Sequence, residues 1–260
     1  MSVADASEKV EISVLVPVMN EAGNIRPLMN EIAAVFAGRS FEILYINDGS
    51  TDNTAKELAE AGAAIPQLRI LNHENRSGQS AALRSGLFAS RGDIIAVLDG
   101  DGQNIPADFV QIEKALIGAR PALGMAGGVR TKRQDSWIKL RASHCAKWIR
   151  ASLLGDSHPD SGCGIKMVDR DIFLKLPYFN HMHRFMPVLV RREGGVVLPV
   201  AVGHRARERG ISKYGVIDRL VVGITDILGV IWLMKRSAHP GHVSETGVTS
   251  RADMTKNNED

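Results

Sequence analysis

Residues 93–106 read Asp-Ile-Ile-Ala-Val-Leu-Asp-Gly-Asp-Gly-Gln-Asn-Ile-Pro, an apolar run that ends in two carboxylates, Asp99 and Asp101. The run Ile94–Leu98 has the length and character of a buried strand. In an extended segment, side chains two apart point the same way, so Asp99 and Asp101 are expected to converge where the strand meets solvent. Convergent carboxylates suit Mg²⁺ or Mn²⁺, hard ions commonly held by one or two carboxylates together with substrate phosphates. An Asp-x-Asp pair also serves as a solvated turn or a helix cap, and its company decides between these uses. An EF-hand is excluded, because the stretch around Gln103-Asn104 lacks the Gly and the spaced Glu of that loop.

Working back toward the N-terminus, strand, turn and helix signals alternate, as expected of an α/β chain with a mostly parallel central sheet and flanking helices. The expected strands are Ile12 to Val18, Glu42 to Asn47, Leu68 to Asn72 and Asp93 to Asp99. Their carboxyl ends carry Asn20-Glu21, Asn47-Asp48-Gly49-Ser50, Asn72-His73 and Asp99-Gly100-Asp101. In an open parallel sheet these ends lie on one edge, where ligands bind. Helix starts follow at Asn24 or Pro27, Asp52, Ser77 and Pro106. The first turn, Pro17-Val18-Met19-Asn20-Glu21, has no G-x-G-x-x-G, and there is no Walker loop, which argues against an ordinary dinucleotide or P-loop fold.

Five blocks, VLVPVMNEAGN (14–24), NDGSTDNT (47–54), LDGDGQNIP (98–106), DSGCGIKMV (160–168) and HRARERGISKYG (204–215), together resemble a family 2 glycosyltransferase. They are most similar to the dolichol-phosphate-mannose-synthase-like enzymes, which load one sugar onto a polyprenyl phosphate. The resemblance implies the GT-A type of nucleotide-diphospho-sugar transferase fold over residues 11–215. It also implies roles. Pro17, Met19, Glu21, Asn47 and Asp48 match positions that meet the nucleotide, with Asn47 standing where many relatives carry an Asp. Asp99, Gly100, Asp101 and Gln103 match the metal segment that clamps the sugar-nucleotide diphosphate, and Arg207 and Lys213 match the family's R-x-x-G-x-S-K segment. Guanidinium grips phosphate in a fork and ammonium acts as a point charge, so that pair suits a diphosphate. Arg130 matches an arginine associated with the lipid phosphate, with Lys139, Arg141 and Ser143 as weaker candidates.

Length and composition agree with one such domain plus appendages: 260 residues, 44% hydrophobic, net charge +3. The charge is unevenly spread, with seven basic residues against the single acid Asp135 between Arg130 and Arg150. Such a patch suits phosphate-bearing or anionic surfaces. Nucleic acid is disfavoured as a partner, since no recognised module accompanies the patch and aromatics make up 5%. Cys145 and Cys163 show neither metal-ligand spacing nor a disulfide framework and read as reduced, cytosolic thiols. The N-terminus (1–10) is expected to be flexible and has no signal-peptide core, and the polar tail (237–260) to be disordered.

Residues 216–236 form an apolar stretch broken by Asp218, Arg219, Thr225 and Asp226, which helical spacing gathers on one narrow face. About fifteen residues pass from Leu220 to Lys235-Arg236, fewer than the roughly twenty that span a bilayer. An interfacial helix is the leading expectation, with a packed core or partner-facing helix as the alternative. Ser136 to Leu154 offers a second amphipathic candidate, Trp137, Ile138, Cys145, Trp148 and Ile149 facing away from Lys139, Lys147 and Arg150. The expected place is therefore the cytoplasm, peripheral at the inner face of the membrane. Firm anchoring is expected to need both signals, a partner subunit or a second copy.

The expected reaction is metal-dependent transfer of one hexose from a nucleotide sugar to a polyprenyl phosphate, with inversion, as the resemblance implies. GDP-mannose is the single best donor expectation, beside UDP-glucose, UDP-N-acetylhexosamine and UDP-uronic acid. A phosphate monoester is largely ionised at neutral pH and needs no strong base. A hydroxyl acceptor, the runner-up, would need one, and Asp160 is the obvious candidate, although it also suits a turn after Pro159. An inactive membrane-associated scaffold is a third reading, against which the intact Asp99, Asp101, Arg207 and Lys213 argue.

Overall fold

A computed structural model describes residues 9–62, 65–131, 153–155, 158–206, 216–236 and 238. Seven strands form one sheet: β1 (Ile12–Val18), β2 (Phe41–Asp48), β3 (Leu68–His73), β4 (Ile94–Val97), β5 (Gly124–Arg130), β6 (Lys166–Asp169) and β7 (Val196–Val202). Their order is β3-β2-β1-β4-β6-β5-β7, and β6 alone runs antiparallel to its neighbours. The four expected strands are all present. The fourth is shorter than expected, Ile94–Val97 rather than Asp93 to Asp99, so Asp101 stands in a turn and not on the strand.

Helices cover both faces. On one side lie α1 (Ile25–Val35), α2 (Thr54–Gly62) and α4 (Phe109–Gly118), whose Ile25, Leu28, Met29, Ile32, Leu58, Phe109, Ile112 and Leu116 pack against Val14, Val16, Ile43 and Tyr45. The α1 contacts recur at i, i+3, i+4 and i+7, the stripe that turns one helical face inward. On the other side α3 (Gln79–Ala89), α5 (Arg170–Lys175), α6 (Met186–Arg192) and the C-terminal α7 (Val216–Lys235) meet the alternate strand residues Leu15, Leu44, Ile46, Ile95 and Val97. Strands buried on both faces explain the unbroken apolar runs in the sequence.

The β1–β4 ladder ends where Leu98 N donates to Leu15 O at 3.1 Å, while β1 stays paired with β2 as far as Val18↔Asn47. Pro17, two residues beyond Leu15, therefore faces the β4 side after pairing has ceased, and its missing N–H leaves no rung broken. Gly100 lies across the same end: a Cβ there would sit 2.4 Å from Val18 Cγ1 and 3.1 Å from Pro17 O. That close approach is what brings Asp99 and Asp101 over the sheet edge.

Candidate active site

The carboxyl ends of β1 to β4 meet on one edge, and their loops are tied to one another. Consecutive backbone N–H groups of Asn20, Glu21, Ala22 and Gly23 donate to Ser50 Oγ (3.0 Å), Thr54 Oγ1 (2.9 Å), Asp52 Oδ2 (3.3 Å) and the Glu57 carboxylate (2.7 and 2.9 Å). Asp48 is buried and accepts from Ser77 N, Gly78 N and His73 Nδ1, each at 2.8 Å. Asn47 donates to Asn72 Oδ1 at 3.0 Å and accepts from Ser50 N at 3.2 Å. Glu21 accepts from Asn24 Nδ2 at 2.9 Å, and Pro17 and Met19 flank it at the end of β1. What the structure shows for Asn47 and Asp48 is thus a hold on the loops around them; a nucleotide contact would come on top of these bonds. The backbone N–H groups of residues 20–23, 50, 77 and 78 are thus satisfied by the protein's own oxygens.

Asp99 and Asp101 stand beside this rim. Asp99 Oδ1 accepts from Gln79 Nε2, at the first turn of α3, at 2.7 Å, and Asp101 Oδ1 accepts from Gln103 N at 3.1 Å. Burial raises the Asp99 pKa above the ordinary carboxylate value, and the charge of Asp101 raises it further, against the opposing pull of Lys166, the Gln79 hydrogen bond and Arg130. A dication between the two carboxylates would remove that repulsion. Two carboxylates in this position fit a hard ion that takes its other ligands from water and substrate phosphates. Gln103 continues the turn, its Nε2 donating to Arg205 O at 3.4 Å, while Arg205 N returns a 2.8 Å bond to Gln103 O. Arg207, Lys213, Lys139, Arg141 and Ser143 lie outside the described residues.

Behind Asp99 opens a cavity of about 400 Å³, lined among others by Gln79, Asp99, Ser161, Lys166, His183 and Arg184. Its wall at residues 161–164 presses on Asp99: a Cβ at Gly164 would fall 2.1 Å from Asp99 Oδ2 and 2.7 Å from Asn104 Nδ2. His183 bonds Ser80 Oγ through Nδ1 at 2.8 Å, and burial, helped by the charge of Lys166, pushes its pKa down to about 3, so the imidazole is neutral. Burial likewise lowers the Lys166 pKa, opposed chiefly by Asp99.

Two of the expected site residues meet each other. Arg130 and Asp160, assigned to the lipid phosphate and to a base for a hydroxyl acceptor, are partners: Nε donates to Asp160 Oδ2 at 2.7 Å and a terminal nitrogen to Oδ1 at 2.8 Å. The Arg130 backbone N–H adds a third bond to Oδ2 at 3.3 Å. Both carboxylate oxygens are engaged by the guanidinium in a fork. Sequence reading passed over Gln79, Lys166, His183 and Arg184. Of these only Lys166 left a signal, a charge set in the apolar run Ile165-Lys166-Met167-Val168.

The glycosyl transferase family 2 profile matches residues 13–176. The dodecaprenyl-phosphate galacturonate synthase of Rhizobium johnstonii is 35% identical over 92% of this chain and 71% of its own length. An undecaprenyl-phosphate 4-deoxy-4-formamido-L-arabinose transferase of Edwardsiella ictaluri is 30% identical over 79% of this chain, which spans 63% of that relative. Among solved structures, the glucosyl-3-phosphoglycerate synthase of Mycobacterium tuberculosis with UDP superposes with a TM-score of 0.64 over 89% of this chain and 82% of that one, at 19% identity. The same enzyme with Mn²⁺, UDP and phosphoglyceric acid gives 0.64 over 89% and 81%, at 20% identity. The sheet order, its one reversed strand and these superpositions establish the GT-A fold, and the matched blocks with the two relatives show that the chain belongs to glycosyl transferase family 2.

Proposed function

We propose that this glycosyltransferase moves one sugar from a UDP-sugar to a polyprenyl phosphate at a membrane surface. The observation that carries the reading is the Asp99/Asp101 pair, with Asp99 in the cavity lining, on a sheet edge where the backbone donors of residues 20–23 are satisfied by the protein's own oxygens. A diphosphate docking on such an edge needs a cation, and two carboxylates invite one. Mg²⁺ or Mn²⁺, held by Asp99 and Asp101 beside Gln103, would neutralise the charge that develops on the leaving nucleoside diphosphate. Both relatives named above act on polyprenyl phosphates, which supports the acceptor class. Structural neighbours hold UDP, which favours uridine over the guanosine expected from the sequence, and neither relative above is named for mannose.

A phosphate acceptor arrives already ionised, so the protein's task is positioning and charge neutralisation. The engagement of Asp160 by Arg130 favours this acceptor over a hydroxyl, which would need a free base. Purified protein with radiolabelled UDP-sugar and undecaprenyl phosphate should place label in the organic phase, and EDTA should abolish it. Label that stays in water-soluble glycan, or transfer that persists in EDTA, refutes the reading.

The membrane contact is assigned to α7. Its inner face packs on the core through buried Val230 and partly buried Ile227, Ile231 and Met234, and Asp226 Oδ2 meets His181 Nδ1 at 3.1 Å. Its outer face presents Ile224, Leu228 and Trp232, 56%, 62% and 59% exposed, at four-residue spacing on one stripe. No described helix is long and apolar enough to cross a membrane. An apolar ridge above a packed face suits shallow insertion, with the Arg236 guanidinium over the Trp232 ring, 5.9 Å from its centre, placed for the headgroups. Changing Ile224, Leu228 and Trp232 together to Ser should lower co-sedimentation with anionic vesicles at least about tenfold while the melting curve is kept. Unchanged vesicle binding would remove α7 from the contact.

A further inference from the structure

Lys166 has no part in the chemistry derived so far, yet it is 6% exposed and lines the cavity behind Asp99. It lies on β6, paired with Val97 on β4 and Gly127 on β5. Val97 precedes Asp99 by two residues, so Lys166 is rooted roughly 7 Å deeper than the sheet edge at which the carboxylate pair stands. Among the described residues its ammonium makes no hydrogen bond or ion pair, and it feels Asp99 and Asp160 only at longer range. Each of those acids has a nearer partner: Gln79 for Asp99, Arg130 for Asp160. A buried ammonium with three donors and no acceptor is costly, and an anion entering the cavity would offset that cost.

The order of groups along the cavity says which anion. A diphosphate held at the Asp99/Asp101 turn would occupy the edge, and a group attached to it and turned inward would meet the cavity, whose volume of about 400 Å³ falls within the range of small-ligand pockets. Arg184 adds a second cation to the lining, and His183 is neutral, so Asp99 is the one acid there. We propose that this cavity receives the sugar to be transferred and that Lys166 ion-pairs with a carboxylate on that sugar, which makes the donor a nucleotide-activated hexuronic acid. A neutral hexose fills the same space but leaves the ammonium facing hydroxyls. The assignment rests on the UDP-sugar reading above and narrows it to acidic sugars.

The test is calorimetric binding, with Mg²⁺, of UDP, UDP-glucuronate, UDP-galacturonate, UDP-glucose and UDP-galactose to the full chain and to Lys166→Met and Lys166→Arg. One uronate should bind wild type at least about tenfold more tightly than its neutral counterpart. Lys166→Met should erase that preference while moving the Kd for UDP less than about threefold, and Lys166→Arg should keep it. The wild-type comparison stands even if a variant folds poorly. A neutral sugar bound as tightly as its uronate overturns the proposal, and so does Lys166→Met weakening UDP as much as the uronate, which would put the lysine on the diphosphate. Unchanged donor binding with a raised KM for undecaprenyl phosphate would make the acceptor phosphate the anion and overturn it too. If wild type binds none of the five, the UDP-sugar reading itself falls and this assignment with it; binding without acid preference sinks only the assignment.

Discussion

Asp101→Ala is expected to lose at least about two orders of magnitude in kcat while its melting temperature stays near wild type, because the carboxylate sits in a turn and acts on charge that appears during the reaction. Asp99→Asn should be as inactive and no less stable. The asparagine oxygen can still accept the Gln79 bond, and the buried charge repelled by Asp101 is gone. The sign follows from the raised pKa. A carboxyl group whose folded pKa lies above its unfolded value adds stability that is full below the unfolded value and is lost as pH rises through the folded one. Wild type should therefore lose stability across that window and Asp99→Asn should not. Turnover and melting curves from pH 4 to 8, taken on the order of half a unit apart, check both halves. An active Asp99→Asn would leave the metal assignment without support.

The second large effect concerns stability. Arg130→Ala should cost about 3 kcal/mol, because it removes the forked partner of a carboxylate that is 6% exposed. Asp160→Ala should cost a similar amount, and the double variant less than the sum, with a coupling of about 1–3 kcal/mol. Chemical denaturation of the four proteins measures this cycle. Additive losses would show that the pair is not coupled. Activity losses in either single variant then have a structural component, so a role for Arg130 toward an acceptor phosphate is to be judged from a KM shift that exceeds the shift in Asp160→Asn.

The parallel half of the fold was legible because its strands are buried on both faces and its loops end in polar clusters: Ile12–Val18 was read to the residue, and the others to within two. Asp99 and Asp101 were legible for the same reason, since a carboxylate pair after an apolar run has few structural uses. The strands β5, β6 and β7 were not read, as Gly124–Arg130 is rich in glycine and Lys166–Asp169 opens and closes on charges. What makes a lysine belong in β6 is a cavity assembled from α3, the 161–164 loop and the 182–184 turn, and that juxtaposition has no local trace. The Arg130–Asp160 pair spans thirty residues and joins two groups whose local contexts suggested opposite tasks. In α7 the helical spacing was legible, and the structure packs one face of it on the core and leaves the other exposed.

The bond that breaks in the donor defines the reaction. The most direct measurement is mass analysis of the lipid product together with the released nucleotide after incubation with UDP-sugar, undecaprenyl phosphate and Mg²⁺. The predicted result is a lipid carrying one added sugar on a single phosphate, with one UDP released for each product formed. Release of UMP with a lipid diphosphate-linked sugar, or UDP release whose sugar appears only in water-soluble product, would contradict it.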